Sequence, residues 1–257
     1  MEKNPAPTVS YAQNAEDIVL LRALSHVKRG FYVDVGAWHP NDDSVTKVFY
    51  DRGWSGINIE PQADRMQAFL AERPRDINLQ LAVSDCPGPL PIWVPRYSAL
   101  ATCRPELLEP SIPDYAEPVK HMVGAARLDR LLREHAKDRM IHFLKIDVEG
   151  FEAAVIRSAD FDAHRPLVLA VEAVSPHTGE PTWYDWEPRL LTKGYLFALF
   201  DGLNRFYVRE ESHELLPKLS VPANCLDNFL SCREITLLHE LAAARERLKR
   251  QSIATSM

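Results

Sequence analysis

The sequence predicts a doubly wound α/β fold whose seven-stranded sheet is mainly parallel, with an antiparallel last strand. Short β-rich apolar runs alternate with segments of helical periodicity along most of the 257 residues. This alternation implies parallel strands joined by right-handed crossovers. The last two runs, at 195–200 and 204–210, are joined by Asp201-Gly202, which is typical of a hairpin turn. We therefore expect an open sheet that ends in an antiparallel pair.

The elements are predicted in chain order from the periodicity of apolar residues and from the capping, glycine and proline residues that bound each element. A helix of about four turns begins near Ser10, where Ser10 and Gln13 have capping-box spacing, and it ends before Gly30. Strands are predicted at 31–37, 56–60, 77–83, 141–150, 166–174, 195–200 and 204–210. Further helices are predicted at 44–54, 61–73, 127–137, 151–159 and 183–194.

The chain is divided into an N-terminal helical segment (1–30), a main domain (31–232) and a C-terminal amphipathic helix (233–257). Within the main domain, the proline-rich stretch 87–118 excludes a long helix and is predicted to be an insert beside the site. The last helix has an apolar stripe of Ile235, Leu238, Leu241 and Leu248. This stripe either packs on the domain or associates with another copy of the chain, which would make a homo-oligomer.

Composition narrows the function classes. Apolar residues make up 46% of the chain, so a folded core is expected, and the formal charge of −6 argues against nucleic acid as a partner. No apolar run reaches the roughly 18 residues of a membrane span, and residues 1–13 contain no apolar signal region. We expect a cytoplasmic protein. The four cysteines lack zinc-binding spacing and are expected to be free thiols.

Polar residues follow the first three predicted strands. Asp34 and Gly36 end the first strand, where ligands bind in open α/β sheets. The run is not the three-glycine fingerprint that cradles a pyrophosphate, which favours a ligand without phosphates. Glu60 ends the second strand, where a carboxylate can accept hydrogen bonds from ribose hydroxyls. Ser84 and Asp85 follow the third strand and either contact an adenine edge or form a turn.

Charged residues also surround the ends of two buried strands. The run KIDVEG at 145–150 contains Lys145, Asp147 and Glu149, and Glu172 interrupts the apolar run 166–174. Burial of so much charge without partners is costly, so a site at this edge is the economical explanation. The alternative is a set of ion pairs with Lys145 or Arg165.

Several of these segments together resemble the FkbM family of methyltransferases. The resemblance rests on YAQNAED at 11–17, the run from FYVDVGAWHP to GINIEP at 31–61, NLQLAVSD at 78–85, RLDRLL before LKIDVEGFE, and FDGLNRFYV at 200–208. It extends over residues 10–230 in the same order. It implies a Rossmann-like class I methyltransferase fold and S-adenosylmethionine as methyl donor. It also implies O-methylation of a sugar in a glycan or of a natural-product hydroxyl.

The resemblance assigns roles to matching positions. Asp34 and Gly36 become the cofactor loop, Glu60 the ribose partner, and Asp147 with Glu149 the acidic cluster of the active site.

The opening segment matches less closely. By the same resemblance, Gln13 and Asp17 would lie near the methionine part of the cofactor. Here Tyr11-Ala12 precedes Gln13, and Ala15 stands where the family usually has glycine. Gln13 therefore keeps its alternative interpretation as a helix-capping residue.

Methyl transfer to a hydroxyl benefits from a proton acceptor, because a neutral hydroxyl is a weak nucleophile. We favour Asp147 or Glu172 as this base, with His39 or His177 as helpers. Alternatively, Mg²⁺ held by Asp147, Glu172 and Asp201 would lower the pKa of the hydroxyl.

Two other functions are weighed against methyl transfer. An NAD-linked sugar-modifying enzyme is disfavoured, because both the three-glycine fingerprint and a YxxxK pair are absent. A non-catalytic binding module of a glycan-assembly complex is disfavoured by carboxylates at several separate strand ends. The insert contains aromatic and cationic residues that would grip a sugar or a phosphorylated carrier. Alternatively, the insert is a surface loop packed by its own side chains. These residues are Trp93, Arg96, Tyr97, Arg104 and Tyr115.

Overall fold

The computed structural model describes residues 6–96, 98–109, 111–175 and 178–255, which form an α/β protein. Its strands are β1 (Thr8–Ser10), β2 (Phe31–Val35), β3 (Ser55–Ile59), β4 (Ile77–Leu79), β5 (Ala82–Val83), β6 (Gly88–Val94), β7 (Val119–Ala126), β8 (Phe143–Ile146), β9 (Val168–Glu172), β10 (Tyr195–Phe200), β11 (Asn204–Arg209) and β12 (Phe229–Ser231). Its α-helices are α1 (Glu16–Ala23), α2 (Lys47–Asp51), α3 (Ala63–Glu72), α4 (Leu128–Leu131), α5 (Glu152–Ser158), α6 (Glu187–Thr192), α7 (Leu216–Leu219) and α8 (Cys232–Thr255).

The main sheet has seven strands in the order β10-β11-β9-β8-β2-β3-β4. The five strands from β9 to β4 pair in parallel, whereas β11 is antiparallel to both of its neighbours. The sheet is therefore mixed, and the predicted hairpin of β10 and β11 is confirmed. The parallel strands end at one edge, which brings the loops after β2, β3, β8 and β9 together.

Apolar side chains cover both faces of the sheet, so its central strands read as continuous apolar runs rather than alternating ones. Val33 and Leu144 pack on one face with residues of α4, α5 and α6. Tyr32 and Phe143 pack on the other face with residues of α1, α2 and α7. Helices on both faces fix the strands and hence the positions of the loops at their ends.

The single strand predicted at 77–83 is wrong, because the structure divides this segment. Ile77–Leu79 pairs with β3 in the main sheet, whereas Ala82–Val83 pairs with β7 in a separate three-stranded sheet of order β5-β7-β6. The chain changes sheets at Gln80 and Leu81. The apolar alternation continues across this change, so the periodicity alone did not reveal it.

The described residues of the insert at 87–118 form no long helix, as its prolines indicate, but they do include a strand that the sequence analysis missed. β6 pairs antiparallel with β7, although it includes Pro89 and Pro91. β6 is an edge strand, and prolines two positions apart both direct their missing N–H away from the partner strand. The remainder of the described insert forms three short 3₁₀ turns.

The first helix begins six residues later than predicted, and Ser10 does not cap it. Ser10 ends β1, which pairs in parallel with β12, and α1 starts at Glu16 after Ala15. Residues 11–15 therefore form an irregular arm between β1 and α1. Such a parallel pairing with a strand more than 200 residues away leaves no periodic signal in the local sequence.

The C-terminal helix α8 extends away from the domain. Residues 236–247 are all exposed, including Leu237, Leu238 and Leu241 at 63%, 54% and 48%. Ile235 is half-buried, and the side chain of Leu248 lies outside the described part of the chain. Neither α8 nor any other described helix combines the length and apolar character needed to cross a membrane.

Candidate functional site

A cavity opens at the carboxyl edge of the sheet, where the loops after β2, β3 and β8 diverge. Gly36, Glu60 and Asp147 all line it, and so does Gln13 from the irregular arm. The structure therefore brings together four site residues that were predicted from four separate segments. Apolar walls come from β3, from the segment around β5 and from the insert, with Ile59, Leu81, Val83, Ile92 and Leu100.

Gly36 allows two of these loops to approach each other closely. Its φ of +78° is in the region that favours glycine, and a Cβ at this position would lie 1.7 Å from the carbonyl oxygen of Asp147. The Gly36 N–H donates to the carbonyl of Ile59 (3.0 Å), and Lys145 Nζ donates to the Gly36 carbonyl (2.9 Å). The turn after β2 is thus tied to both neighbouring strands.

Asp34 lies beneath this turn and does not line the cavity. It is 1% exposed, its carboxylate lies 3.6 Å from Lys145 Nζ, and Thr46 Oγ1 donates to it at 3.3 Å. Burial raises the pKa of Asp34, and the nearby Lys145 ammonium opposes this. The structure therefore places Asp34 as support for Lys145 and for the glycine turn.

Glu60 is a buried carboxylate fixed by backbone donors. It accepts hydrogen bonds from the Trp38 N–H (3.1 Å) and the Gln62 N–H (2.8 Å), one on each oxygen. Burial raises its pKa to about 7. Each oxygen still has a lone pair for another donor, so Glu60 offers two acceptor positions with a fixed orientation at the wall of the cavity.

Gln13 and Asp17 have different placements. Gln13 lines the cavity, whereas Asp17 is fully buried and accepts hydrogen bonds from Ser10 Oγ (2.7 Å) and the Tyr11 N–H (2.8 Å). Burial raises the pKa of Asp17 to about 6. Asp17 thus holds the arm that presents Gln13, and the structure does not bring it to the cavity.

Ser84 and Asp85 are not among the residues that line the cavity. Ser84 Oγ accepts the Cys86 N–H (3.1 Å), which is the geometry of a turn. Asp85 accepts a hydrogen bond from Arg157 Nε of α5 at 2.6 Å. Both side chains, which follow β5, therefore bond other groups of the protein.

Three carboxylates meet at the ends of β8 and β9. Asp147, Glu149 and Glu172 each place an oxygen within 4.8 Å of the others. Asp147 pairs with Lys145 at 3.1 Å, and in the described residues no other cation lies within salt-bridge distance of this cluster. Glu149 has a φ of +53° and a buried Oε2 atom that finds no hydrogen-bond partner among those residues. We name these three residues the carboxylate cluster.

The three carboxylates differ in their electrostatic environment. Burial raises the pKa of Glu172 well above its usual value, and the charges of Asp147 and Glu149 add to this. Burial and the charge of Asp147 likewise raise the pKa of Glu149 well above its usual value. The charge-neutral forms of Glu149 and Glu172 are therefore favoured by their surroundings, whereas Asp147 faces the Lys145 ammonium.

Glu152 belongs to this site although the sequence analysis did not single it out. Its Oε1 accepts the N–H groups of Val148 and Gly150, both at 3.1 Å, and burial raises its pKa to about 7. It thereby fixes the loop that carries the carboxylate cluster. Glu152 follows the strand closely in the sequence, but an acidic residue is also common in the first turn of a helix. Its position alone therefore did not indicate a role in the site.

The insert packs against the same loop. Thr102 Oγ1 donates to the carbonyl of Glu149 (2.7 Å), and Arg104 Nη1 donates to that of Gly150 (3.4 Å). Tyr115, also in the insert, is 3% exposed. Its pKa is raised to about 12 by burial and then by the charges of Glu149 and Glu172. The insert therefore covers the carboxylate cluster, although Tyr97 lies outside the described residues.

Three other candidates do not join the cluster. Asp201 Oδ1 accepts the N–H groups of Leu203 (2.9 Å) and Asn204 (2.6 Å), so it shapes the hairpin, and it is not part of the carboxylate cluster. His39 Nδ1 accepts two backbone N–H groups of its own loop, and His39 is not a lining residue of the cavity. His177 lies outside the described residues.

Comparison with known proteins identifies the family. A family model described as the methyltransferase FkbM domain matches residues 34–197, which is more than half of the chain. No curated protein matches the chain. The matched range includes the glycine turn, Glu60, the insert and the carboxylate cluster. The chain therefore belongs to the FkbM family of methyltransferases.

Proposed function

We propose that this methyltransferase uses S-adenosylmethionine to methylate a hydroxyl oxygen of a sugar, in a glycan or a glycosylated natural product. The observation that carries the proposal is that Glu60 and Asp147 line the same cavity. Glu60 offers fixed acceptors for paired hydroxyls, as in ribose, and Asp147 offers an acceptor for the proton of a reacting hydroxyl. Both are needed for transfer from an adenosine-containing donor to an oxygen.

The cavity fits adenosylmethionine in two respects. Glu60 would accept the ribose hydroxyls, and the apolar wall that includes Ile59, Leu81 and Val83 would contact the adenine. The turn at Gly36 packs tightly against Asp147 and fixes one side of the cavity. When bound, the group supplies a methyl carbon activated by a sulfonium. Asp34 and Asp17 would support this site from behind, whereas Ser84 and Asp85 bond Cys86 and Arg157 and do not line the cavity.

In the transfer step, the carboxylate cluster would handle the acceptor hydroxyl. Asp147 would accept its proton as the oxygen takes the methyl group, the sulfonium–methyl bond breaks and a neutral thioether leaves, with Lys145 beside Asp147. Asp147 lines the cavity and pairs with Lys145, whereas Glu172 does not line it and burial raises its pKa. These differences favour Asp147 over Glu172 as the base.

A Mg²⁺-assisted version of this step uses the same residues. The ligand set expected from the sequence was Asp147, Glu172 and Asp201, but the structure gathers Asp147, Glu149 and Glu172. A cation there would require Glu149 and Glu172 to be ionised, which works against the burial that raises the pKa of both. Removal and return of Mg²⁺ during the methylation assay distinguishes the two versions.

Titration calorimetry with adenosylmethionine and with NAD tests the proposal against its alternatives. We expect adenosylmethionine to bind and NAD not to bind. Binding of NAD alone would support a sugar dehydrogenase or epimerase, and binding of neither would support a non-catalytic module. Mass spectrometry of a glycan panel incubated with protein and adenosylmethionine then tests for a gain of one methyl group on oxygen.

A further inference from the structure

Glu16 connects two distant parts of the chain at the edge of the site. It is 5% exposed, its Oε2 accepts the Asn14 N–H (2.9 Å), and its Oε1 accepts Asn204 Nδ2 (2.9 Å). Its two partners are separated by 190 positions in the sequence. Glu16 therefore accepts hydrogen bonds from uncharged donors on two separate segments, and no cation of the described residues lies within salt-bridge distance of it.

On one side, Glu16 controls the arm that carries Gln13. Asn14, which Glu16 binds, directly follows Gln13, and Gln13 lines the cavity. Ala15, between Asn14 and Glu16, has a φ of +59°, a conformation that is strained for a non-glycine residue. The arm is held at its other end by Asp17 through Ser10 and Tyr11. Without the bond to Glu16, the strained end of the arm would relax.

On the other side, Glu16 reaches the strands that carry the carboxylate cluster. Asn204 is the first residue of β11 and is the register partner of Glu172 in β9. Asn204 also donates its N–H to Asp201 Oδ1 (2.6 Å), and Asn14 Nδ2 donates to the carbonyl of Asp201 (3.4 Å). The arm and the β10–β11 hairpin therefore share a network in which Glu16 is the central acceptor.

The charge of Glu16 also acts on the site itself. Burial lowers the pKa of Lys145, but the charges of Asp147, Asp34 and then Glu16 outweigh it and raise that pKa above its usual value. Glu16 thus lies within electrostatic range of the cation that compensates Asp147, although it does not line the cavity.

We propose that Glu16 is a positioning residue that fixes Gln13 for the cofactor by bridging the arm to Asn204, next to the carboxylate cluster. The inference rests on the proposed function, since it assumes that adenosylmethionine occupies the cavity. A carboxylate suits the bridge because both of its oxygens accept, whereas an amide would direct its NH₂ group towards one of the two donors.

The test measures the affinity of the purified full chain for adenosylhomocysteine by titration calorimetry. Glu16→Gln should raise the dissociation constant about tenfold, as expected for one lost hydrogen bond. Gln13→Ala should also raise the dissociation constant. The double variant should bind no more weakly than the weaker-binding single variant, because Glu16 acts through Gln13. Glu187→Gln is the matched control, since Glu187 bonds Arg205 and Tyr207 away from the cavity and should leave affinity unchanged.

A rescue variant separates the bridge from a general role in stability. In the combination of Glu16→Gln with Asn204→Asp, the Asn14 N–H still donates to the amide oxygen, and the other hydrogen bond is restored with donor and acceptor exchanged. Affinity should therefore return to within about threefold of the original. If Glu16→Gln does not fold, Asn204→Ala removes the same bridge and should weaken binding equally.

Two results would overturn the inference. Unchanged affinity in a folded Glu16→Gln variant removes the positioning role, and so do additive effects of Glu16→Gln and Gln13→Ala. If the unmodified protein binds no adenosylhomocysteine, the proposed function fails, and the positioning role fails with it. Failure of the inference alone is recognised by normal binding in both the parent protein and the bridge variants.

Discussion

Gly36 and Asp147 are packed so closely that a methyl group on Gly36 would lie 1.7 Å from the carbonyl oxygen of Asp147. The two residues end adjacent parallel strands, β2 and β8. The glycine turn that lines the cavity and the loop that carries the carboxylate cluster therefore share one packed contact. A change in one is transmitted to the other.

Gly36→Ala should lower the free energy of unfolding by about 2 to 4 kcal/mol, because it combines a clash with a φ of +78°. Gly53→Ala is the control, since Gly53 has a φ of +86° but no atom within 4 Å of the added carbon. It should cost only about 1 kcal/mol. Urea unfolding measures both. Equal costs for the two variants would show that the close approach has no energetic consequence.

Glu60→Ala should weaken adenosylmethionine binding by about 1 to 3 kcal/mol, through loss of charged hydrogen bonds to the ribose, while the fold survives. Calorimetry measures the dissociation constant, and circular dichroism checks the fold. Glu72→Ala serves as the control, because Glu72 is an exposed acidic residue of α3 outside the cavity. An unchanged dissociation constant in folded Glu60→Ala would remove Glu60 from the cofactor site.

The residues at the strand ends could be predicted because the carboxyl ends of parallel strands lie at the same edge of a sheet. Gly36, Glu60 and Asp147 each follow an apolar run, and the carboxyl ends of such runs must meet at one edge. The rule gives proximity but not orientation. It therefore grouped Asp34 and Asp85 with them, although Asp34 lies under the turn and Asp85 pairs with Arg157.

The remaining site residues depend on contacts between distant segments. Glu16 matters because it binds Asn204, and Thr102 because it binds the carbonyl of Glu149. No periodicity in the local sequence predicts either contact. The arm at 11–15 was assigned to a helix because Ser10 and Gln13 have capping-box spacing, but Ser10 belongs to a strand whose partner is β12. Tertiary pairing overrode the local signal there.

The raised pKa values predict how stability depends on pH. Burial raises the pKa of Glu16, Glu60 and Glu152 to about 7, so the folded state without cofactor binds more protons than the unfolded state between about pH 4.5 and 7. The free energy of unfolding should therefore fall as pH rises through this window, by up to about 1.4 kcal/mol per pH unit for each such group.

Urea unfolding at pH 5 and pH 8 tests this dependence. Glu152→Gln should flatten it, since one of the titrating groups is removed. A free energy of unfolding that rises from pH 5 to pH 8 would contradict the assignment of these carboxyls as protonated in the folded state.

Truncation after Arg233 should leave the melting temperature nearly unchanged, because residues 236–247 of α8 are exposed in the single chain. Most helical stability in proteins comes from packing of an apolar face, so the exposed leucines of α8 are expected to pair with a second copy. Light scattering should then show a larger mass for the full chain than for the truncated one, with methylation retained. A monomeric full chain whose melting temperature drops on truncation would instead indicate docking on the domain.

Asp147 and Glu172 lie in the same carboxylate cluster but are expected to act differently. Asp147 lines the cavity and pairs with Lys145, whereas Glu172 is 7% exposed, and burial and the neighbouring carboxylates raise its pKa. An amide resembles a protonated carboxyl in shape and in its ability to donate. An amide in place of Glu172 therefore resembles the form that burial favours, whereas an amide in place of Asp147 removes the charged partner of Lys145.

Asp147→Asn should reduce methylation by roughly 10²-fold or more, the usual scale for loss of a general base, with near-normal affinity for adenosylhomocysteine. Glu172→Gln is the matched comparison and should retain most of the rate. Rate and affinity are measured on the same preparation of each variant. Near-parental turnover of Asp147→Asn would remove its catalytic role, and affinity lost in step with rate would reassign Asp147 to cofactor binding. Equal losses in the two amide variants, together with a rate that depends on added Mg²⁺, would instead indicate that both carboxylates are ionised around a cation.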